Sequence, residues 1–293
     1  MIDLIHKYQQ KLNLPNSIFS YIDHEDAMVA VVFKISQANH PDMILKVCSR
    51  KGDYLREVYF LHRLAGKLPV PRIIQLVEPG DSVDGAILME YLPGHLLKME
   101  DLTYGLAFEL GSLLAKIHSE QVQGYGDLIG PSHLSDDPRI PFTEKFEEGI
   151  EECRDHLPKK LLEKCRRHFD KEIDLIQSVD GPRIIHRDFR PGNVIVQNGR
   201  VRGIIDWSSA RGGFTEEDFC PLEFGEWSKR EDIKSSFLEG YASIRKIPNY
   251  KPLMPLLRLS RAIAAVGFTV KRGTWESKSS TLYQFNRHFL ESL

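Results

Sequence analysis

Residues 183–210 read RIIHRDFRPGNVIVQNGRVRGIIDWSSA, and this stretch decides how the rest of the chain is read. Its polar positions are His186, Asp188 and Asn193, spaced H-x-D-x-x-x-x-N, with a second acid, Asp206, thirteen residues after Asn193. Short β-rich runs at 184–185, 194–196 and 201–205 bracket them, so the polar residues are expected in loops between strands. Phosphoryl transfer passes through a charge-dispersed transition state. It needs one carboxylate to orient the attacking hydroxyl, and oxygen ligands for the divalent metal that bridges the phosphates. Asp188 fits the first requirement, and Asn193 with Asp206 fits the second.

The spacing supports that division. Asn198-Gly199 between two β-rich runs is a preferred two-residue hairpin turn. Counting outward from it, Gln197 faces Arg200 and Asn193 faces Ile204, so Asp206 lies two residues past the partner of Asn193. Side chains alternate along a strand, which predicts that Asn193 and Asp206 project from one face at the open end of the hairpin. A lone Asp or Asn in such a place is an ordinary turn or capping residue. The spaced set points to chemistry.

Towards the N-terminus the chain reads as strands with one helix. Residues 27–35 and 43–47 are rich in Val, Ile, Phe and Met and flank a polar turn at 36–42. Tyr54, Val58, Leu61 and Ala65 then recur at helical spacing until Gly66 and Pro69 stop them. Residues 86–92 form another apolar strand, broken by Pro93-Gly94. Beyond it helical periodicity dominates, through Leu106, Leu110, Leu113, Leu114 and Ile117, over 157–176 and over 253–270. Two lobes are expected, 1–92 and 93–293.

The 293 residues carry 39 basic and 41 acidic side chains, a net charge of -2, so no global field recommends nucleic acid or an anionic membrane as a partner. Cys48, Cys153, Cys165 and Cys220 form no CxxC pair and read as reduced, buried thiols rather than a zinc site or disulfide framework. No signal-like segment opens the chain, and no apolar run approaches the roughly 18 to 20 residues that span a bilayer. A cytoplasmic monomer is the expectation.

HRDFRPGN followed by IIDW resembles the catalytic and metal-binding loops of the aminoglycoside phosphotransferase and choline kinase family, which shares the protein-kinase-like fold. The resemblance implies an α+β, two-lobed fold, with a small antiparallel-sheet N-terminal lobe that binds nucleotide and a larger, mostly helical C-terminal lobe that carries catalysis and substrate. It implies ATP or GTP as co-substrate, Mg2+, and a small-molecule hydroxyl acceptor, with antibiotic resistance among the family's activities. Lys46, in ILKV, looks like the lysine that holds the α- and β-phosphates, and Glu57 like its ion-pair partner. In LMEYLPG, backbone groups near Glu90 and Leu92 resemble the inter-lobe hinge that meets the adenine edge. His186 takes an orienting role, and Arg190 either neutralises phosphate or pairs with a nearby acid. His118, closing an apolar helix, reads as a packing residue.

Two departures from the protein-kinase pattern favour the small-molecule branch. Residues 21–30, which are placed to cover the phosphates, read YIDHEDAMVA and contain no glycine, and Trp207-Ser208 stands where protein kinases carry Phe-Gly. A protein kinase and a non-catalytic nucleotide-binding module are the competing readings. Seven acids between 212 and 232 (Glu216, Glu217, Asp218, Glu223, Glu226, Glu231 and Asp232) suit either a solvated surface or a pocket for a cationic acceptor; for Asp218 the family resemblance implies instead a role bracing the catalytic region.

Overall fold

The computed structural model describes residues 1–23, 30–81, 83–130, 134–277 and 279–293, with the side chain of Glu226 outside the description. Most of the segment 21–30 assigned to the phosphates therefore lies outside the described residues, as does Glu226 in the acidic stretch. In chain order the elements begin with α1 (Ile2–Lys11), β1 (Ile18–Tyr21), β2 (Ala30–Ser36), β3 (Met43–Cys48), α2 (Lys51–Leu64), β4 (Ile73–Val77) and β5 (Gly85–Glu90). There follow β6 (His95–Leu96), α3 (Tyr104–Ile117), α4 (Arg139–Glu152), α5 (Lys159–Glu172), β7 (Arg183–Ile185), β8 (Val194–Gln197) and β9 (Arg200–Ile204). The chain ends with β10 (Arg211–Gly213), α6 (Cys220–Phe224), α7 (Glu231–Ala242), α8 (Met254–Lys271) and α9 (Ser280–Ser292).

These elements gather into two compact units. The first comprises residues 1–117, 186–210 and 232–244, and the second 118–185, 211–231 and 245–293.

In the first unit an antiparallel sheet runs in the order β1-β2-β3-β5-β4. Alternate residues along its strands, Phe33 and Ile35, Leu45 and Val47, Ala86 and Leu88, join Tyr8 and Leu12 of α1 in one buried cluster. The two-residue period of a strand then turns Lys46, between Leu45 and Val47, to the opposite face, where it reaches Glu57 of α2. The same unit holds the three-stranded sheet β6-β8-β9. In it α3 crosses α7 so closely that a Cβ on Gly111 would lie 1.9 Å from the Phe237 carbonyl oxygen, and one on Gly240 1.9 Å from that of Phe108. Glycine at both positions is what lets the backbones meet.

The hairpin count needs a correction. Gln197 pairs with Arg200 as expected, but the register shifts between Ile195 and Val196, so Ile195 faces Gly203 and Val194 faces Ile204. Arg202 is the extra residue of a β-bulge. Asn193 therefore meets Ile205, whose N–H donates to the Asn193 carbonyl at 3.0 Å, and Asp206 follows that partner directly.

In the second unit α8 is the central helix. Leu256, Leu257, Leu259, Ala262, Ile263 and Val266 are all buried, and Cys153 Sγ donates to the Ile263 carbonyl. Residues 251–271 are the one stretch among the described residues long and apolar enough to cross a membrane; most of it is buried inside the protein, as for a core helix. All four cysteines are free and buried.

Candidate active site

Lys46, Glu57, His186, Asp188, Arg190, Asn193 and Asp206 all belong to the first unit. Lys46 Nζ lies 2.9 Å from Glu57 Oε2 and 2.9 Å from Asp206 Oδ1, so one ammonium joins strand β3, helix α2 and the segment after β9. The Glu57 side chain is only 2% exposed. Burial opposes the lysine's charge, but the Glu57 and Asp206 carboxylates overcome it and hold its pKa well above the ordinary lysine value. Burial likewise works against an ionised Asp206. The Lys46 ammonium and the Ser208 hydroxyl, which donates to Asp206 Oδ1 at 2.8 Å, nevertheless bring its pKa well below the usual carboxylate range.

The alternation argument does not account for the direction of Asp206. The residue sits at φ 62°, ψ 67°, in the left-handed region that Asp and Asn tolerate better than most residues. Its segment is fastened to α2 on three sides. Arg56 Nε donates to the Ser208 carbonyl at 2.6 Å, the Trp207 backbone N–H donates to Glu57, and the Trp207 indole stacks on Phe60 with centroids 6.1 Å apart. The sequence does not single out Arg56, and it marks Ser208 only as part of Trp207-Ser208, without its contact to Asp206. A Ser two residues after an Asp is a recognised local partner, whereas nothing marks Arg56 among the charged residues of α2.

The catalytic-loop candidates form a second cluster. His186 is fully buried against Trp207, with ring centroids 4.5 Å apart. Its Nδ1 accepts the Asp188 backbone N–H at 3.3 Å, which leaves the proton on Nε2, 3.1 Å from the Ile205 carbonyl. His186 thus links the Asp188 backbone to the end of the hairpin, a geometry suited to orienting rather than to proton transfer. The Asp188 side chain is 32% exposed. Asn193 Nδ2 donates to its Oδ2 at 2.7 Å and to its backbone carbonyl at 2.9 Å, and Arg190 Nε lies 3.2 Å from both carboxylate oxygens. Asn193 ends a one-turn 3-10 helix, Pro191–Asn193, in which Pro191 needs no donor of its own.

Among the described residues no cluster of three His, Cys, Asp or Glu side chains is arranged to hold a metal. Mg2+ does not require one, because it is usually held by one or two protein oxygens plus substrate phosphates and water. Asp206 Oδ2 and Asn193 Oδ1 each receive no hydrogen bond from the described residues. The donor set fits a hard cation.

Glu90 and Leu92 occupy the end of β5 and the turn beyond it. The Glu90 N–H donates to the Arg72 carbonyl, and its carboxylate accepts the Arg72 N–H at 3.0 Å. The Leu92 side chain fills the space a Cβ on Gly203 would take.

At Glu216 and Glu217 the acidic stretch departs from both readings. Glu216, Glu217 and Asp218 are buried, and each has a partner inside the second unit. Glu216 accepts the Asp180 N–H at 3.1 Å, Glu217 Oε1 and Oε2 each lie 3.0 Å from Arg211 Nη2, and Asp218 Oδ2 lies 3.1 Å from His118 Nε2. Burial pushes the Glu216 carboxyl up to about 7. His118 is fully buried beside Phe219, which agrees with a packing role.

A model of the phosphotransferase enzyme family matches residues 26–256. The chain belongs to that family. This phosphotransferase-family chain is 28% identical over 188 residues to the homoserine kinase of Gluconobacter oxydans (strain 621H), a match covering 61% of the chain and 56% of that kinase, so it spans little more than half the length of this curated relative. Among solved structures it is similar to aminoglycoside phosphotransferase APH(4)-Ia, with TM-score 0.72, 17% identity and 100% and 99% of the two chains covered. It is also similar to APH(2")-IIa in complex with gentamicin, with TM-score 0.69, 16% identity and 100% and 96% covered. At these identities the likeness establishes the fold, the α+β kinase-like fold expected from HRDFRPGN and IIDW.

Proposed function

We propose that the chain is a small-molecule kinase that moves the γ-phosphoryl group of ATP or GTP onto an acceptor hydroxyl. The observation that carries this reading is the bracing of one part-exposed carboxylate, Asp188, by Arg190 and Asn193, in the same unit as the Lys46–Glu57–Asp206 network. The acceptor O–H hydrogen-bonds to Asp188, its oxygen attacks the γ-phosphorus in line, and the bond to the β–γ bridging oxygen breaks. The hydroxyl proton passes to Asp188, and the products are a phosphoester and a nucleoside diphosphate.

Lys46 holds the α- and β-phosphates, with Glu57 keeping its ammonium in place. Asn193 and Asp206 would hold Mg2+, which would neutralise negative charge on the phosphates. His186 keeps Asp188 aimed, Arg190 faces the transferring group, and backbone groups at Glu90 and Leu92 meet the base. Assignment of residues 1–92 to the nucleotide and 93–293 to catalysis and the acceptor belongs to the same proposal, as do monomeric state and a cytoplasmic location.

Two acceptor classes follow from the relatives. The homoserine kinase match supports a small amino alcohol, and the solved structures of similar fold support an aminoglycoside. Both carry ammonium groups, but homoserine is a zwitterion whereas an aminoglycoside is a polycation. The smaller is favoured, because Glu216, Glu217 and Asp218 are already engaged and offer no open acidic surface. A coupled nucleotide-consumption screen with ATP and with GTP, across homoserine, choline, aminoglycosides, macrolides and sugars, tests the reading. Magnesium-dependent consumption with one acceptor class supports it, and no consumption with any of them counts against it.

A further inference from the structure

The second unit contains a cavity of about 470 Å³ between α5, α6, α8 and α9, within the range of small-ligand pockets. None of the residues placed in the active site lines it. Its walls are apolar, from Phe224, Met254, Leu259 and Phe289, and Met254 with Pro255 brings the first turn of the 18-residue helix α8 to its edge. The Met254 N–H is donated to the Lys251 carbonyl and Pro255 has none, so any charge preference of the cavity comes from its side chains.

The side-chain charge in the cavity favours an anion. Lys251, Arg258 and His168 line it against one acidic side chain, Glu172, which already lies 3.9 Å from Lys171, and beside Leu293, the last residue of the sequence. Arg258 is the unusual group. It is only 8% exposed, yet no carboxylate pairs with it among the described residues. Its Nη1 donates to Asn286 Oδ1 at 2.7 Å, and the guanidinium lies over the rings of Phe289, Phe285 and Phe224 at 4.3, 5.0 and 6.0 Å. Burial and the neighbouring Arg261 both work against its charge. The aromatic faces offset part of that cost, but a buried cation of this kind is ordinarily matched by an anion.

We infer that this cavity is a binding site for a small amphipathic carboxylate, with the anionic head on Arg258 and Lys251 and the apolar body against Met254, Leu259 and Phe289. An aliphatic and an aromatic acid share this chemistry. The inference uses no catalytic residue, so its failure leaves the kinase proposal untouched.

The test is isothermal titration calorimetry of the full chain with decanoate and with 2-naphthoate, using decanol and decyltrimethylammonium as controls. One acid is expected to bind with 1:1 stoichiometry and both controls at least tenfold more weakly; which acid binds identifies the body the walls accept. Arg258→Met is expected to weaken binding roughly tenfold or more, as loss of a charge-assisted contact does. Lys251→Ala, at an exposed position, is expected to weaken it about threefold without disturbing the fold. If Arg258→Met does not fold, Lys251→Ala and the cavity-filling Leu259→Trp carry the test. Failure of both acids to bind, binding of decanol as tight as decanoate, or unchanged affinity in the folded variants overturns the site.

Discussion

Arg190 Nε stands equidistant, 3.2 Å, from the two carboxylate oxygens of Asp188. A single donor shared between two oxygens holds the carboxylate plane without consuming either oxygen, so one remains available to an incoming hydroxyl. The Asn193 amide takes Oδ2 at 2.7 Å, which leaves Oδ1 the freer of the two.

Arg190→Ala is therefore expected to lower kcat by about ten- to a hundredfold, the scale of a misaimed general base, with a smaller change in the KM for nucleotide. Arg190→Lys restores part of the loss. Steady-state kinetics check it, and an effect confined to KM contradicts the role.

The Lys46–Glu57 pair is buried on the Glu57 side, so removing Lys46 leaves a buried carboxylate uncompensated, whereas removing Glu57 leaves Lys46 paired with Asp206. Lys46→Met is expected to cost on the order of 3 kcal/mol of stability and to raise the nucleotide Kd, and Glu57→Leu to cost less. In the double variant Lys46→Met/Glu57→Leu the stability loss is smaller than the sum of the two single losses. Urea denaturation of the four proteins measures the coupling, and additive losses contradict it.

Asp206→Asn isolates the charge at this position, because Asn accepts the left-handed backbone that Asp206 adopts. Magnesium-dependent nucleotide binding is expected to weaken at least tenfold while the fold is kept. Asp206→Ala adds a backbone penalty of roughly 1 kcal/mol, visible as a lower Tm. Magnesium titration of nucleotide binding reads the first effect; an unchanged titration rejects Asp206 as a ligand.

Glu216 gives a pH signature. Its folded carboxyl lies near 7 against an ordinary 4.5, because burial disfavours the charge. The raised value means that the folded state retains a proton the unfolded chain releases, so this contribution is complete below about 4.5 and is lost as pH rises towards 7. Its upper limit is on the order of 3 kcal/mol. Glu216→Gln keeps an acceptor for the Asp180 N–H and removes the titration, so Tm measured across that window is expected to decline less steeply in the variant. Parallel profiles contradict the assignment.

The fold was legible where local chemistry and long-range structure agree. The hairpin at Asn198-Gly199, helix α2 and the central strand β3 all form where turn residues and apolar periodicity place them. Lys46 and Glu57 meet because a strand and the following helix fix their faces locally. The bulge at Arg202 was not legible, since a single unpaired residue leaves the apolar pattern almost unchanged, and the left-handed turn at Asp206 makes up the difference. The buried acids at 216–218 were hidden for another reason: two of their partners, Asp180 and His118, lie 36 and 100 residues away, so composition alone reads a solvated face. Arg56 was missed because its carbonyl partner on Ser208 is 152 residues distant.

The most direct test of the central claim is single-turnover phosphoryl transfer by Asp188→Asn, using an acceptor found in the screen, beside nucleotide affinity measured by calorimetry. The substitution preserves the shape that Asn193 and Arg190 hold and removes the charge that takes the hydroxyl proton. Transfer is expected to fall by about two to four orders of magnitude while nucleotide Kd stays within roughly threefold. Transfer within tenfold of the unsubstituted enzyme contradicts the role of Asp188, and with it the reading of the braced carboxylate as the centre of a kinase.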